Sequence, residues 1–367
     1  MEKSKQILFE PIKLKNLELA NRIVMAPMTR NFSPNYIPGE NVAEYYKKRA
    51  ANDVGLIITE GTTINHKAAN GYPNVPAFHG EKALAGWKKV AEAVHSVGGK
   101  IAPQIWHVGN VKRVGVEPNP EIPGYGPMQM ERKGKIIGVA MTKEDIDMVV
   151  AAYAQAAKDS KEIGFDAVEI HGAHGYLIDQ FFWEKTNQRS DEYGGSFEKR
   201  MRFGLEVVAA VRKAVGEDFP VIFRFSQWKQ QDYEAKLAQN PEELEQLLVP
   251  LSNAGVDIFH ASTRRFWEPE FEGSHLNLAG WTKKITGKPV ISVGSVGLDI
   301  PFTSSFRGQE ATSTDLSELY KKLKDNEFDM IAIGRSLIGD PELVKKLKQG
   351  RDSEIRNFSK DDLKTLI

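Results

Sequence analysis

The stretch Ala167-Val-Glu-Ile-His-Gly-Ala-His-Gly-Tyr-Leu177 joins a short, mainly apolar run to a group of polar side chains. The run contains β-branched residues and stops at His171-Gly172, which is typical of a buried β-strand that ends at a loop. In parallel α/β folds, the loops at the carboxyl ends of the strands carry the functional groups. The sequence therefore predicts a parallel α/β fold with chemistry at this strand end.

Seven further segments have the same character, and helix-like segments lie between them. The eight predicted strands are Arg22–Met25, Leu56–Glu60, Lys100–Trp106, Ala167–His171, Val221–Phe225, Asp257–Ala261, Pro289–Val293 and Met330–Ile333. Eight strand–helix units joined by right-handed crossovers are the pattern of a (β/α)8 TIM barrel. A doubly wound sheet is the alternative, but the residues after the first strand, Ala26-Pro-Met-Thr-Arg30, lack its glycine-rich turn.

Three of the predicted helices carry start signals. Thr142 is an N-cap for a helix that ends at Gly164 and has one apolar face, formed by Ile146, Val149, Val150, Tyr153 and Ala157. Asn240-Pro241 opens a second helix, which Pro250 should kink or shorten and whose apolar stripe is Leu244, Leu247, Leu248 and Leu251. Asp340-Pro341 is expected to start the last barrel helix.

Long segments without a regular pattern follow strands three, six and seven, at the carboxyl face of the predicted barrel. They are Val108–Met141, Ser262–Asn277 and Val296–Ser313. The first is rich in glycine and proline, and we expect an insertion of about residues 108–141 to form a hairpin lid over a site. We predict one domain over residues 1–367, with an N-terminal hairpin before the barrel.

The composition excludes several classes of function. The 49 basic and 49 acidic residues balance, so no global charge favours a nucleic acid or an anionic membrane as partner. The chain has no cysteine, which excludes disulfides, thiol nucleophiles and cysteine-bound clusters within it. No stretch resembles a signal peptide or a membrane span. We expect a cytoplasmic protein, monomeric or homodimeric, that acts on a small molecule.

Two imidazoles and a phenol, those of His171, His174 and Tyr176, follow the fourth predicted strand. Together such groups can hold an oxygen atom and supply a proton. Two other interpretations stay open for these residues alone. The histidines can be a buried, hydrogen-bonded pair beside a core tyrosine, or they can be two metal ligands.

From Leu8 to the last helix, the chain resembles the Old Yellow Enzyme family of FMN-dependent ene-reductases. The matching stretches, each at a predicted strand end or in the loop beyond it, are Asn21-Arg-Ile-Val-Met-Ala-Pro-Met-Thr-Arg30, Thr59-Glu-Gly61, Gln104-Ile-Trp106, His171-Gly-Ala-His-Gly-Tyr176, Asn187-Gln-Arg-Ser-Asp-Glu-Tyr-Gly-Gly195, Arg224, Gly294 and Gly334-Arg335. The resemblance implies non-covalent FMN, with NAD(P)H as the reductant. It also implies ping-pong hydride transfer through flavin N5 to the C=C bond of an α,β-unsaturated carbonyl compound, or to a nitro compound.

The resemblance assigns flavin contacts to several strand ends. Arg224 would stabilise negative charge at flavin N1 and O2, although a structural ion pair is the alternative. Gln104 offers an acceptor and donors to the pyrimidine edge, and an ordinary polar barrel residue is the alternative. The other implied contacts are Pro27, Met28, Thr29 and Gly61 beside the flavin ring, and Gly294, Ser295, Gly334 and Arg335 around the phosphate.

The same resemblance assigns substrate contacts. His171 and His174 would donate hydrogen bonds to the carbonyl or nitro oxygen, and Tyr176 would donate a proton to the α-carbon. The predicted pocket walls are Trp106, Phe266 and Trp267. Where many relatives have Pro-Phe after the Gly-Arg pair, this chain has Ser336-Leu337, which leaves the substrate preference open.

Two functions of other classes were weighed against this one. A metal-dependent barrel hydrolase would use His171 and His174 as ligands, with His260 as a third. A non-catalytic flavin-binding protein would need no proton donor, and the intact set of two histidines and a tyrosine argues against it. The substrate and the preference between NADH and NADPH are not determined by the sequence.

Overall fold

Strands and helices alternate along the chain in the computed structural model, which describes residues 5–298 and 315–367. The strands are β1 (Ile12–Leu14), β2 (Leu17–Leu19), β3 (Ile23–Met25), β4 (Leu56–Thr63), β5 (Ile101–Trp106), β6 (Gly124–Gly126), β7 (Met130–Arg132), β8 (Lys135–Ala140), β9 (Val168–His171), β10 (Val221–Phe225), β11 (Ile258–Ser262), β12 (Val290–Val293) and β13 (Met330–Ile333). The helices are α1 (Glu40–Ala50), α2 (Glu81–His95), α3 (Lys143–Glu162), α4 (Leu177–Phe182), α5 (Phe197–Val215), α6 (Pro241–Ala254), α7 (Leu278–Thr286), α8 (Ser317–Lys324), α9 (Arg335–Gly339) and α10 (Leu343–Gln349).

Eight of these strands form a closed barrel in the order β3-β4-β5-β9-β10-β11-β12-β13. Each of its strand pairs is parallel. They are the eight strands predicted from the sequence, with ends that differ by one to three residues, so the (β/α)8 prediction is confirmed and the doubly wound alternative was wrong. Because crossover helices cover the outer face, the barrel strands are buried on both sides.

The barrel interior changes from apolar to polar along the strands. Near the amino ends, the inward-facing residues are apolar and include Val24, Leu56, Ala102, Ala167, Ile222, Ile258, Ile291 and Met330. Since side chains alternate between the two faces of a strand, the next inward positions come two residues later. On β5, β9, β10 and β11 those positions are Gln104, Glu169, Arg224 and His260.

The N-terminal hairpin closes the amino end of the barrel. Strands β1 and β2 pair antiparallel, with Leu14 opposite Leu17. Leu14, Leu17 and Leu19 pack in the same apolar cluster as the barrel interior. The hairpin in the predicted fold is therefore confirmed, and it covers apolar surface that an open barrel end would expose to water.

The predicted helix caps are present where the chain supplies them. Thr142 and Asp145 form a capping box at the start of α3, and Gly164 follows its end with φ +98°. Asn240 caps α6 by accepting a hydrogen bond from the Glu243 amide. Pro250 does not end α6, which continues to Ala254, because the buried stripe of leucines keeps this face packed on the barrel.

The last barrel helix begins later than the sequence predicted. Helix α10 starts at Leu343 rather than at Pro341. The Asp340 carboxylate accepts hydrogen bonds from the Glu342 amide and from the Lys346 ammonium group, at 3.0 and 2.7 Å. This carboxylate holds residues 340–342 in a turn, so the helix begins only after them.

The insertion after β5 forms a small sheet of its own. Strand β8 lies between β6 and β7, and β7 and β8 make a hairpin whose tip, Lys133-Gly134, has positive φ at both residues. Arg189 fastens the base of the insertion by donating to the carbonyls of Pro127 and Met141, at 3.0 and 2.8 Å. The role of this sheet as a lid, and the single domain, stay predictions.

The other two long segments differ in what the structure describes. Residues 262–277 are described, and most of the predicted loop Val296–Ser313 lies outside the described residues. Among the helices of residues 5–298 and 315–367, none has the length and apolar character needed to cross a lipid bilayer.

Replacing Leu17 by alanine should destabilise the protein by about 2–5 kcal/mol, because the change leaves a cavity in the apolar cluster at the barrel end. Leu17 is 1% exposed. Glu18→Ala, on the same strand but exposed, is the matched control and should change stability by about 0.5 kcal/mol or less. Denaturant unfolding measures both. Equal effects of the two substitutions would contradict a stabilising role for the hairpin.

Candidate active site

A cavity of about 380 Å³ lies at the carboxyl ends of the barrel strands. All eight barrel strands, or the loops that follow them, supply residues to it, as expected for the functional face of a parallel barrel. Fourteen of the sixteen residues predicted to bind cofactor or substrate line this cavity, namely Pro27, Met28, Thr29, Gly61, Gln104, Trp106, His171, His174, Tyr176, Arg224, Gly294, Ser295, Gly334 and Arg335.

The two remaining predicted residues, Phe266 and Trp267, are not among the residues that line the cavity. Phe266 is buried in the hydrophobic core, and its carbonyl accepts a hydrogen bond from Asn277 at 2.6 Å. This bond directs the loop after β11 over the barrel wall. Trp267 is partly buried against the same core, with its ring 5.3 Å from that of Phe266. Neither aromatic residue forms the predicted pocket wall.

His171 and His174 are neutral and have defined proton positions. Burial holds the pKa of both imidazoles well below the usual value, and the nearby Arg224 cation lowers the pKa further. The amide of Ala173 donates to His171 Nδ1, so the proton of His171 is on Nε2. Nε2 of His174 is 2.8 Å from the Ser262 hydroxyl, which also accepts from Arg224. A serine that accepts from Arg224 can donate its own proton to Nε2, which leaves the His174 proton on Nδ1.

Tyr176 lies beside the two histidines, with its ring centre 5.1 Å from that of His171. Gln230 Nε2 donates to the phenol oxygen at 2.6 Å, and the hydroxyl of Tyr72 is 3.1 Å away. Burial raises the pKa of Tyr176 well above its usual value, while the bond from Gln230 lowers it. The phenol is therefore protonated at neutral pH, and it has a donor partner that can stabilise its oxygen when the proton leaves.

The loop after β10 positions these groups, and the sequence analysis missed it. The indole of Trp228 stacks on the His174 ring at 4.4 Å. The backbone N–H of His174, a residue with φ +65°, donates to Ser226 Oγ at 3.0 Å. Lys229 forms a fully buried ion pair with Asp179 of α4, at 2.7 Å. The available signal was the run of polar and aromatic residues directly after the strand that carries Arg224.

The hydrolase alternative finds no support in this arrangement. Among residues 5–298 and 315–367, no group of three or more histidine and carboxylate side chains is placed to hold a metal ion. His260, nominated as a third ligand, instead uses Nδ1 to bond Glu169 at 2.6 Å. His171 and His174 are bonded to the backbone and to a serine.

Comparison with known proteins places this geometry in a family. The profile of the NADH:flavin oxidoreductase / NADH oxidase family matches residues 7–354. The chain belongs to this family. The Old Yellow Enzyme resemblance is thereby confirmed, and with it the class of flavin-dependent oxidoreductases and FMN as the cofactor.

Two relatives and one solved structure show how far the likeness extends. The chain is 36% identical over 358 residues to an NADH oxidase of Thermoanaerobacter brockii, covering 95% of this chain but 52% of the relative. It is 34% identical over 357 residues to 12-oxophytodienoate reductase 2 of Arabidopsis thaliana, covering 93% of this chain and 88% of the relative. A structure of morphinone reductase in complex with tetrahydroNAD superposes with a TM-score of 0.81 at 30% identity, covering 97% and 93% of the two chains.

The cavity residues of this family member fit the flavin's polar edge. Arg224 is buried, and its Nε has no hydrogen-bond partner within the described residues. Burial lowers the pKa of Arg224 to about 10, so it remains a cation at neutral pH. A buried donor without a partner is costly unless a ligand satisfies it. Gln104 lies on the same wall of the cavity, with its amide N–H donating to Glu169 at 2.8 Å.

Two glycines of the cavity let neighbouring side chains approach the backbone closely. A Cβ on Gly61 would lie 2.4 Å from the Trp106 ring, and one on Gly334 would lie 3.2 Å from Met28 Sδ. Gly294 has φ +154° and is followed by Ser295 with φ +47°. Arg335 lies next to them, with Nη2 3.4 Å from the Ser295 hydroxyl. Backbone N–H groups beside one arginine suit a phosphate, which supports the predicted phosphate site.

FMN should be bound without a covalent link, because the chain has no cysteine to form a flavin thioether. Heat or acid denaturation should release the flavin into the supernatant, and chromatography should identify it as FMN. The native protein, washed in neutral buffer, is the control and should keep its yellow colour. Release of FAD, or flavin that stays with the precipitated protein, would contradict this prediction.

Proposed function

We propose that this protein is an FMN-dependent NAD(P)H oxidoreductase that reduces the C=C bond of α,β-unsaturated carbonyl compounds, and also nitro compounds. The observation that carries the proposal is the convergence of two neutral histidines and a protonated tyrosine on a cavity that also contains Arg224 and Gln104. The names of two similar proteins, a 12-oxophytodienoate reductase and a morphinone reductase, support a reductase. Since the chain spans about half of the bacterial NADH oxidase, the activity of the whole protein is part of the proposal.

FMN, held against Arg224 and Gln104, would supply the hydride chemistry between NAD(P)H and the acceptor. The protein residues act on the acceptor. His171 presents the proton on Nε2, and His174 presents the proton on Nδ1. Two neutral N–H donors can hold a carbonyl or nitro oxygen and stabilise the negative charge that develops on it. Because both imidazoles are already fixed by Ala173 and Ser262, little reorganisation is needed when the oxygen binds.

Tyr176 is the proton donor in the proposed reaction. With Gln230 donating to its oxygen, the tyrosine proton can point away from that bond and toward the acceptor's α-carbon. As the proton leaves, the Gln230 N–H group stabilises the phenolate that forms. Because the pKa of Tyr176 is high, the phenol keeps its proton until that proton is transferred to the α-carbon of the acceptor.

Aromatic rings exclude water from the proposed reaction site. Trp106 lies edge-on to Tyr176 at 4.8 Å, and Tyr72 stacks on Trp106 at 5.6 Å. Trp228 covers His174. A dry wall strengthens the hydrogen bonds from the histidines and keeps water from competing with Tyr176 as the acid.

Replacing Tyr176 by phenylalanine tests the function by separating two half-reactions. The substitution keeps the ring and removes only the hydroxyl, so reduction of the flavin by NAD(P)H should be nearly unchanged. Reoxidation by a cyclic enone should slow by about 10²–10⁴-fold, the usual effect of losing a general acid. Stopped-flow absorbance measures both rates, and nitro acceptors should be affected much less.

Tyr193→Phe is the matched control for this test. Its hydroxyl donates to Glu206 outside the cavity, so both half-reactions should keep the parent rates. Equal slowing of both half-reactions in Tyr176→Phe would make Tyr176 a packing residue. An unchanged rate with enones would show that another group supplies the proton.

The oxygen-binding role of the histidines is testable with phenols, which we expect to bind as phenolates stacked on oxidised flavin. Replacing His171 and His174 together by alanine should abolish the long-wavelength charge-transfer band. It should weaken phenol binding by roughly 3–6 kcal/mol, at about 1.5–3 kcal/mol for each hydrogen bond to a charged oxygen. His275→Ala, at an exposed histidine, is the control. Parent-like phenol affinity in the double variant, with FMN still bound, would disprove the role.

A further inference from the structure

A buried carboxylate lies directly beneath the proposed flavin-binding wall and takes no part in the mechanism above. Glu169 is fully buried on β9 and is not among the residues that line the cavity. Its Oε1 accepts from Gln104 Nε2 at 2.8 Å, and its Oε2 lies 2.6 Å from His260 Nδ1. Both partners are themselves buried. Glu169 therefore connects the cavity wall to the barrel interior.

Both side-chain oxygens of Glu169 accept hydrogen bonds. An amide N–H group can only donate, so Oε1 is an acceptor. Burial lowers the pKa of His260, so its imidazole is neutral at neutral pH and carries one proton. His260 Nε2 is buried and has no hydrogen-bond partner among the described residues, which favours the proton on Nδ1, where Glu169 Oε2 accepts it. Glu169 is thus held as a carboxylate acceptor through both oxygens.

The positive charge opposite Glu169 is that of Arg224. Arg224 lies on β10 next to Glu169's strand, with His171 and His260 at the same height on its two neighbours. Its one hydrogen bond described here is the long contact, 3.4 Å, with Ser262. A buried cation with so few direct partners needs a nearby opposite charge. Glu169 supplies it, since its field raises the pKa of Arg224 against the effect of burial.

We infer that Glu169 is a positioning residue that sets the reduction potential of the bound FMN. Its charge offsets part of the field that Arg224 exerts on the flavin, and its hydrogen bond fixes the Gln104 amide with the carbonyl oxygen free for the cavity. The inference rests on the proposed function only in placing FMN against Arg224 and Gln104. It needs no particular substrate.

Glu169→Gln removes the charge and can keep both hydrogen bonds. The new amide oxygen can accept from Gln104, and the new amide nitrogen can donate to His260 Nδ1. His260 then carries its proton on Nε2, the atom that has no partner in the parent protein. The substitution therefore removes the charge at some cost in stability, because the new Nε2–H group has no partner among the described residues.

The measurement is the midpoint potential of the bound FMN, from anaerobic reduction beside a reference dye. Without the Glu169 charge, Arg224 stabilises reduced flavin more strongly, so the potential should become more positive. One unit charge at roughly 10 Å, with an effective dielectric constant of about 20, should favour reduced over oxidised FMN by about tenfold. For a two-electron couple, about tenfold corresponds to about 30 mV.

Two control variants separate this effect from a structural one. Glu198→Gln makes the same chemical change at an exposed position of α5 and should leave the potential unchanged. Glu169→Asp keeps the charge but shortens the side chain, so it should weaken FMN binding while the potential stays close to the parent value. An unchanged potential in Glu169→Gln, or an equal shift in Glu169→Asp, would overturn the inference.

If Glu169→Gln does not fold, the double variant Glu169→Gln/Arg224→Met replaces both charges, which buried ion pairs tolerate better than the loss of one. Its potential should be more positive than that of Arg224→Met alone, and equality would overturn the inference. Because the titration uses no acceptor substrate, failure of the proposed ene-reduction would leave this result standing. A protein that reduces enones but shows no shift would contradict the role of Glu169 alone.

Discussion

Side chains alternate between the two faces of a β-strand. In a closed barrel this two-residue period determines which side chains of each strand point into the interior. On β5, β9, β10 and β11, Ala102, Ala167, Ile222 and Ile258 belong to the apolar interior. Two residues later come Gln104, Glu169, Arg224 and His260, and two residues after those come Trp106, His171, Ser226 and Ser262. The site is thus built in levels: an apolar base, a charged and hydrogen-bonded level, and a level from which Trp106, His171 and Ser262 line the cavity. A shift of one strand by a single residue would exchange its cavity side chain for one that belongs to the outer core.

The sequence was sufficient for the parts of the molecule that depend on local pattern. The eight strands, the caps at Thr142 and Asn240, and the convergence of fourteen site residues follow from periodicity, from capping chemistry and from the family resemblance. The exceptions depend on contacts between distant residues. Trp267 is held away from the cavity because Asn277 binds the preceding carbonyl, and α10 starts late because Asp340 bonds backbone and side-chain groups nearby. Trp228 meets His174, 54 residues earlier in the chain, only once β9 and β10 are paired. Such contacts leave no periodic signal.

The cavity-lining residues after β9 have little freedom to move, because a second set of residues holds them. His174 is bonded through its backbone to Ser226 and through its ring to Ser262, and Trp228 packs on the same ring. The Lys229–Asp179 pair fastens the loop that carries Trp228 and Gln230 to helix α4, and Asp179 also accepts from the Gly175 amide. A fully buried ion pair contributes little net stability, but losing one partner leaves an uncompensated charge, so the pair mainly specifies one geometry. Rigid support of this kind lets hydrogen-bond donors act without prior rearrangement.

The β1–β2 hairpin has a consequence for the route by which ligands enter and leave the cavity. Because Leu14, Leu17 and Leu19 fill the amino end of the barrel and the interior above them is packed, ligands reach the cavity from the carboxyl side. Under the proposed function, a nicotinamide and an acceptor that both react with the flavin would have to use the same entrance to this cavity. Binding of one would then compete with binding of the other, so the leucine cluster that closes the far end of the barrel would favour alternation of the two half-reactions.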